Sequence, residues 1–507
     1  VYFANSIQFA FTGAAITQLA PGARVLVVQN QAAFAARYGA GLPVAGQYTG
    51  NLANSGERIV LRDGGNEEIL DFTYQNNWYP VTDGAGFSLV IVNDNAAPEQ
   101  WNAAANWRPG GIEGGSPGQT DSPAPPPAPV IITEILSRTD APLVDAVELF
   151  NPAATNADIG GWFLSDDLAD PKKYRIPDGT VMGPGEYLVF DERQFNANVN
   201  SPASFAFSAK GDQAYLFSGD ARTNLTGYVF GREFGAAENG VSFGSYTNSL
   251  GREFFVAQRS RTLPGPNSGP LVGPVVISEI MYHPPDLPNG SDNTLDEYIA
   301  LKNITSTNVP LYDPLNRANA WRMRGDVDFD FPTNVVLPPG QALFVVNFSP
   351  ADTDKARAFR AKYALPAQAP CFGPYDGKLN NSSGTLKLTK PDAPIQSEVP
   401  YVLVEATDFS DRAPWPLGAD GTGASLQRLH LNQFANDPTN WIAAAPMAGD
   451  SAGHGTPPGI TAQPAGAEVV GLTDYTLSVT AKGSAPLRYQ WHLNGRALSG
   501  ATNAALT

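Results

Sequence analysis

Apolar and polar positions alternate in short runs along this chain, and the runs return in a fixed order. LAPGARVLVVQN from Leu19, MGPGEYLVFDE from Met182 and LPPGQALFVVNF from Leu337 each set a Pro-Gly turn before an apolar strand. The turn glycines Gly22, Gly185 and Gly340 stand a whole domain apart, well beyond the roughly 20–50-residue unit of a solenoid. A glycine also opens a later strand in each repeat: Gly56 in GERIVLRD, Gly211 in GDQAYLFSG and Gly384 in GTLKLTKP. In the last of these Leu386 and Leu388 alternate with Lys387 and Thr389, the period of two of a half-buried strand. Short apolar runs punctuated by Gly and Pro predict β-structure throughout, with helix below roughly 12% of residues against the usual 30–35%.

Further marks fix the order within each repeat. DFTYQNNWYPVTDGAGFSL carries Asp71, Trp78, Asp83, Gly84 and Leu89; DFSDRAPWPLGADGTGASL carries Asp408, Trp415, Asp420, Gly421 and Leu426. Both lead on to a second tryptophan, read here as Trp101 and Trp441. The middle repeat has the looser ENGVSFGSY, leaves through RTLPGPNSG, and lacks these late tryptophans, so its last strands are expected to pack differently. The middle and last repeats open alike, with PVIITEILS from Pro129 and PVVISEIMY from Pro274, then DAVELFN ending at Asn151 and DEYIALKN ending at Asn303, then Trp162 and Trp321. The first repeat has no such opening; VYFANSIQFAF stands where the others have their tryptophan strand, with Tyr2 or Phe3 in place of tryptophan. Two segments read as helices, each following the repeated strand: NQAAFAARYG with Asn30 as N-cap, and SPADTDKARAFRAKYA with Ser349 as N-cap.

The organisation that follows is residues 1–121, a linker at 122–129, then 130–270, 271–456 and 457–507. SPAPPPAP in the linker reads as a polyproline II spacer of about 25 Å. The last segment has a strand TLSVTA, then YQWHLNG with Trp491, and resembles the first half of an immunoglobulin-like domain without its usual first cysteine.

The I-x-E-I strand (Ile132, Glu134, Ile135; Ile277, Glu279, Ile280), the strand ending in Asn151 or Asn303, the tryptophan strand, the Pro-Gly turn and the late Ser-Gly strand together resemble the lamin-tail domain family of bacterial multidomain proteins. EIMYHPP from Glu279 is similar to the modules of large secreted proteins of the Verrucomicrobia and Planctomycetes type. The resemblance implies three tandem lamin-tail-like, immunoglobulin-like β-sandwiches followed by the partial immunoglobulin-like domain, an all-β fold. It implies an extracellular accessory or adhesive role and brings no catalytic residue. Leu149, Trp162, Val189, Leu301, Trp321, Phe344 and Trp415 are expected to point inward.

Composition narrows the partners. The net charge of −17, with no basic run, argues against nucleic acid, whose binding rests on clustered Lys and Arg. No stretch of about 18 apolar residues is present to span a membrane. A single cysteine, Cys371, excludes an internal disulfide and reads as a small buried hydrophobe. The four histidines, His283, His430, His454 and His492, form no metal-ligand spacing.

Candidate chemistry reduces to carboxylates and tryptophans. Glu134 with Glu148, and Glu279 with Glu297, could face one another across strands as a glycosidase pair would. Their recurrence in the scaffold points instead to capping of loop amides or to an ion. Asp166, Asp167 and Asp170, or Asp292, Asp296 and Glu297, could hold calcium, but match no calcium loop and read as turn-forming acids. Asp326, Asp328 and Asp330 read as the wet face of an edge strand. Trp78, Trp162, Trp321 and Trp415 could stack on sugars, but their repeated placement reads as core. No catalytic, cofactor or metal residue is assigned. The expected function is a non-catalytic extracellular or cell-surface structural and adhesive segment, of stalk or fibre type. The alternative is an array of glycan- or calcium-binding modules serving an enzyme domain elsewhere. A first repeat without its opening strands, and a last domain without its later ones, are expected to be sticky or poorly ordered at residues 1–18 and beyond Gly459. Neighbouring residues of a longer chain, or strand addition between subunits, would complete them.

Overall fold

The computed structural model describes residues 1–121, 123, 128–447, 459–464, 474–482, 489–493, 496–498 and 500–506. It falls into two compact units, 1–245 with 260–268, and 246–259 with 269–507. The polyproline reading of the linker lies outside the described residues at 122 and 124–127.

The first repeat comprises β1 (Tyr2–Asn5), β2 (Ile7–Ala10), β3 (Leu26–Val28), β4 (Val44–Gln47), β5 (Thr49–Gly50), β6 (Gly56–Arg62), β7 (Glu68–Gln75), β8 (Leu89–Ile91) and β9 (Trp107–Pro109). One sheet runs β5-β2-β1-β6-β7; β3-β4 and β8-β9 are separate pairs. Helix α1 (Gln31–Tyr38) joins β3 to β4, which pair in parallel. The Asn30 side chain caps it by accepting from Ala33 N, as expected.

The second repeat comprises β10 (Ile131–Leu136), β11 (Ala146–Phe150), β12 (Ala157–Asp158), β13 (Phe163–Ser165), β14 (Tyr174–Arg175), β15 (Val181–Met182), β16 (Tyr187–Asp191), β17 (Gly211–Gly219), β18 (Leu225–Gly235) and β19 (Phe243–Thr247). Its sheets run β16-β11-β10-β19 and β14-β13-β17-β18. A four-residue helix, α2 (Glu192–Phe195), follows β16. Within this first unit Val81, Ala85 and Phe87 share an apolar cluster with Phe163, Phe217 and Leu225, so the first two repeats are packed together. Strand β20 (Glu253–Ala257) falls in the second unit.

The third repeat comprises β21 (Val275–Met281), β22 (Tyr298–Asn303), β23 (Val309–Pro310), β24 (Arg322–Gly325), β25 (Val327–Asp330), β26 (Val336–Leu337), β27 (Ala342–Val346), β28 (Cys371–Phe372), β29 (Asp376–Gly377), β30 (Ser383–Pro391), β31 (Tyr401–Ser410), β32 (Ser425–Arg428) and β33 (Trp441–Ala444). Two sheets, β28-β27-β22-β21-β32-β33 and β29-β25-β24-β30-β31, enclose a core of Ile277, Leu301, Trp321, Leu343, Leu386 and Trp415 among others. Leu386 and Leu388 are buried and Lys387 exposed, as the alternation predicts. Helix α3 (Thr353–Lys362) joins the parallel strands β27 and β28, repeating the α1 crossover. Its N-cap is Asp352, whose carboxylate accepts from Lys355 N at 3.2 Å, and not Ser349, whose main chain only closes a turn onto Asp352 N. Beyond the repeats, Gly459–Ala462 pairs with Thr480–Lys482, Leu477–Ser478 with Ala505–Leu506, and His492–Leu493 with Arg496–Ala497.

Local chemistry explains why the repeated marks recur. The three turn glycines adopt φ of 74°, 70° and 68°, the left-handed region that a Pro-Gly turn demands of its second central residue. Asn151 and Asn303 lock that turn to the preceding strand. Gly185 N donates to Asn151 O, and Gly340 N to Asn303 O, each at 3.0 Å or less. The Asn151 amide also donates to Met182 O and Gly183 O, and the Asn303 amide to Leu337 O. Both asparagines are wholly buried, and these bonds satisfy an amide that would otherwise be costly to bury.

Leu149, Trp162, Leu301, Trp321 and Trp415 are buried as expected; Phe344 is buried too, but on the opposite face of its sheet and not inward. Val189 is only half-buried. It occupies the place of Phe344, four residues after the turn glycine. Phe344 is not in the inter-sheet core but in an outer cluster with Phe359 beneath α3, and α2 has four residues where α3 has ten. Three α-helices of 8, 4 and 10 residues among the described residues match the expected scarcity of helix. The strand β25 is not a free edge, since Val327 and Asp328 pair with β29. Asp328 and Asp330 face solvent, but Asp326 caps Asn380 N and Thr385 N, both at 3.0 Å. The middle repeat keeps the strand pairing of the last one despite its missing tryptophans: Glu134 opposes Gly244 and Ile135 opposes Phe243, as Glu279 opposes Gln427 and Ile280 opposes Leu426.

Candidate functional site

Glu134 and Glu148 do oppose one another in the ladder, and both are fully buried. Their oxygens are taken up by the scaffold. Glu134 accepts from Ser242 Oγ at 2.5 Å, from Thr262 N at 3.0 Å and from Thr262 Oγ1. Glu148 accepts from Thr133 Oγ1 at 2.7 Å and from Gly265 N at 2.8 Å. Thr262 and Gly265 belong to the exit segment RTLPGPNSG, so the pair caps loop amides. The third repeat repeats the device: Glu279 accepts from Ser425 Oγ and Tyr298 OH, both at 2.6 Å, and from Met447 N at 3.2 Å. Glu279 and Glu297 do not oppose one another. A β-bulge sets Glu279 against Ala300, and Glu297 precedes β22, accepting from Tyr375 OH at 2.6 Å and Leu379 N at 3.1 Å.

Burial pushes Glu148 up to about 7, against the bonds from Gly265 and Thr133, with the Glu134 charge adding to the rise. Burial likewise pushes Glu297 up to about 7. In the unfolded chain such carboxyls lose their protons at ordinary values near 4.3. Between that value and about 7 the folded state therefore holds more protons, and stability falls as pH rises through the window. Melting is expected to be higher near pH 5 than near pH 7.5, and Glu148→Gln should flatten that slope in differential scanning calorimetry. An unchanged slope would remove Glu148 as its source.

The tryptophans are core rather than sugar platforms. Trp162, Trp321 and Trp415 are buried; Trp78 is half-buried against Trp107. The partner of Trp441 is Trp107 and not Trp101. Trp107 and Trp441 each begin a last strand, opposite Ile91 and Arg428. Each indole N–H donates to the carbonyl six residues back, Trp101 O at 2.7 Å and Ala435 O at 2.8 Å. Each follows an asparagine whose amide also donates six residues back, Asn106 to Gln100 O and Asn440 to Phe434 O. The Asn-Trp dipeptide was the signal in the sequence.

The loop acids weighed for calcium do not converge on one centre. Asp166 pairs with Lys173, Asp167 caps Ala169 N, and the Asp170 carbonyl accepts from Ser165 Oγ. Asp296 bonds Asn293 and Lys362, and Asp292 bonds Lys378 and Asn381. Folding instead brings Asp292 to a histidine: His283, Asp286 and Asp292 each place a ligand atom within 4.8 Å of the others. Leu287 N donates to Ser291 O, closing the loop that sets the two aspartates side by side. His283 Nδ1 lies 2.5 Å from Asp420 Oδ1, and Nε2 lies 3.8 Å from Asp286 Oδ1. One imidazole nitrogen with two carboxylates is a donor set for a borderline transition cation more than for calcium, which takes six to eight oxygens. The Lys378 ammonium, 3.2 Å from Asp292, already neutralises part of that charge. Cys371 is half-buried against the α3 cluster, and burial raises its thiol.

Two sheets face to face, strand-rich and helix-poor, define the class: an all-β protein built from immunoglobulin-like sandwiches. Residues 123–242 match the family model of the Lamin Tail Domain, an immunoglobulin-like β-sandwich. Among solved structures, a DUF4876 family protein from Bacteroides thetaiotaomicron aligns over 62% of this chain and 96% of its own, with 9% identity and a TM-score of 0.27. No curated protein matches the chain. The matched domain and the architecture fit a β-module without enzymatic activity. No helix among the described residues is long and apolar enough to cross a membrane.

Proposed function

We propose that this chain is a non-catalytic structural and adhesive segment of an extracellular or cell-surface protein, acting as part of a stalk or fibre. The reading is supported above all by the fate of the recurring glutamates. Glu134 and its counterpart Glu279 are buried and bonded to hydroxyls and loop amides, so the acid that recurs serves to hold its own sandwich together. An acidic surface, one cysteine and tandem sandwiches suit exposure outside a cell. The family match at 123–242 and the likeness of the third repeat to it support a chain built from repeated β-modules.

Protease added to intact cells of the source organism is expected to remove the chain, and purified chain should be retained on those cells' surfaces. Recovery only from the cytosolic fraction would overturn the reading. A melting temperature raised by millimolar calcium, or a glycan held by the immobilised chain, would replace it with the accessory binding module. Because Asp292 is already engaged by Lys378 and Asn381, no calcium shift is expected.

A further inference from the structure

The first repeat has the outer strands of a sheet but not its centre. In the third repeat the order is β28-β27-β22-β21-β32-β33; the first repeat has β4-β3 and β8-β9, and among the described residues no strand between them. The edge that β27 uses to bind β22, from Ala342 to Val346, is unpaired on β3. The edge that β32 uses to bind β21, at Leu426 and Gln427, is unpaired on β8. A groove of about 620 Å³ remains there, lined by Leu26, Phe34, Tyr38, Ser88, Leu89 and Ile91 among others. The covering helix shows the same vacancy. α3 buries Ala356 and Phe359 against Met281, Tyr298 and Ala300 of the two central strands, whereas α1 buries no residue.

Ser88 says what the groove takes. Counted three residues back from the partners of Trp107 and Trp441, Ser88 corresponds to Ser425, and by the same strand pairing to Ser242. Those two serines donate to the buried glutamates Glu279 and Glu134 at 2.6 and 2.5 Å. Ser88 lines the groove, its hydroxyl set beside Gly110 and Gly115, and that hydroxyl makes no hydrogen bond with a described residue. At the other edge, the Gly22 turn is the counterpart of the turns that Asn151 and Asn303 hold through Gly185 N and Gly340 N.

We propose that the groove between β3 and β8 is an acceptor for two antiparallel β-strands of the kind that β10 and β11 form. The strand against β8 carries a glutamate that takes the Ser88 hydroxyl. The strand against β3 ends in an asparagine beside Gly22. Apolar residues on alternate positions fill the space under α1 and against Leu89. Main-chain bonds along two open edges supply affinity, and the glutamate and asparagine set register.

The test places a second copy of residues 129–161 directly ahead of Val1 of the full chain and follows amide hydrogen exchange. The inserted strands and the amides of Leu26–Val28 and Leu89–Ile91 are expected to exchange at least tenfold more slowly than in the unmodified chain. Ser88→Ala should leave the unmodified chain unchanged and reverse part of the gain in the extended one. As a check independent of the fusion's folding, a free peptide of residues 129–151 should protect the same amides. No added protection from either the fusion or the peptide overturns the proposal. Edges already protected in a self-associated unmodified chain overturn it in favour of a second copy as occupant. A gain indifferent to Ser88→Ala overturns the assigned glutamate contact.

Discussion

Methionine in place of Arg428 is expected to destabilise the third repeat by about 3–5 kcal/mol, the usual cost of stranding one member of a buried ion pair. The Arg428 side chain is wholly buried and Glu405 nearly so. The guanidinium donates to Glu405 Oε1 at 2.5 Å, to Ile277 O at 3.3 Å and to Gln433 O, while Glu405 Oε2 accepts from Ile277 N at 2.5 Å. The pair therefore ties β31 and β32 to β21. Without its cation, Glu405 would be a buried acid with no counter-charge, and burial already raises its carboxyl against the pull of Arg428. Arg428→Met combined with Glu405→Leu should recover most of the loss, because an apolar pair carries no stranded charge. Urea unfolding of the full chain, followed in the transition assigned to the third repeat, measures both. A single variant as stable as the parent would show that the pair holds nothing.

Trp441→Ala is expected to cost about 3–5 kcal/mol, the range for emptying a large aromatic site in a core. Trp441 is 3% exposed, packs tilted at 46° against Trp415 with ring centroids 6.0 Å apart, and spends its indole N–H on Ala435 O. Trp107→Ala should be the comparable lesion in the first repeat, and Trp101→Ala the milder one, because Trp101 is only half-buried. Equal losses from Trp101 and Trp107, read by chemical denaturation, would undo the correspondence between Trp107 and Trp441.

The architecture was legible because each repeated mark carries a local physical demand. A Pro-Gly turn needs φ above zero at Gly22, Gly185 and Gly340, and an alternating run such as Leu386-Lys387-Leu388 can bury only one face. The absence of central strands in the first repeat could likewise be read from the missing I-x-E-I segment. What escaped depends on contacts made only after folding. Order along the chain sets Trp101 against Trp441, yet the strand register selects Trp107. His283 and Asp292 are separated in sequence by a loop whose closure, through Leu287 and Ser291, no spacing rule anticipates. Ser349 lost the cap to Asp352 because both stand ahead of the helix and only the backbone path decides which side chain meets a free amide. Ser88 looks like any polar residue beside a strand until Ser242 and Ser425 are seen holding glutamates.

The bonds from Glu134 to Thr262 and from Glu279 to Met447 also set how each sandwich would bear tension. Both amides lie on the chain as it leaves its repeat, and both carboxylates are rooted on the repeat's first strand. A pull on the departing chain is thus delivered through a buried anchor to the centre of the sheet, rather than prising away the outermost strand one rung at a time. Water cannot easily replace such a bond, because the carboxylate sits where solvent does not reach. A chain of these sandwiches would yield abruptly, domain by domain, instead of fraying from its exits.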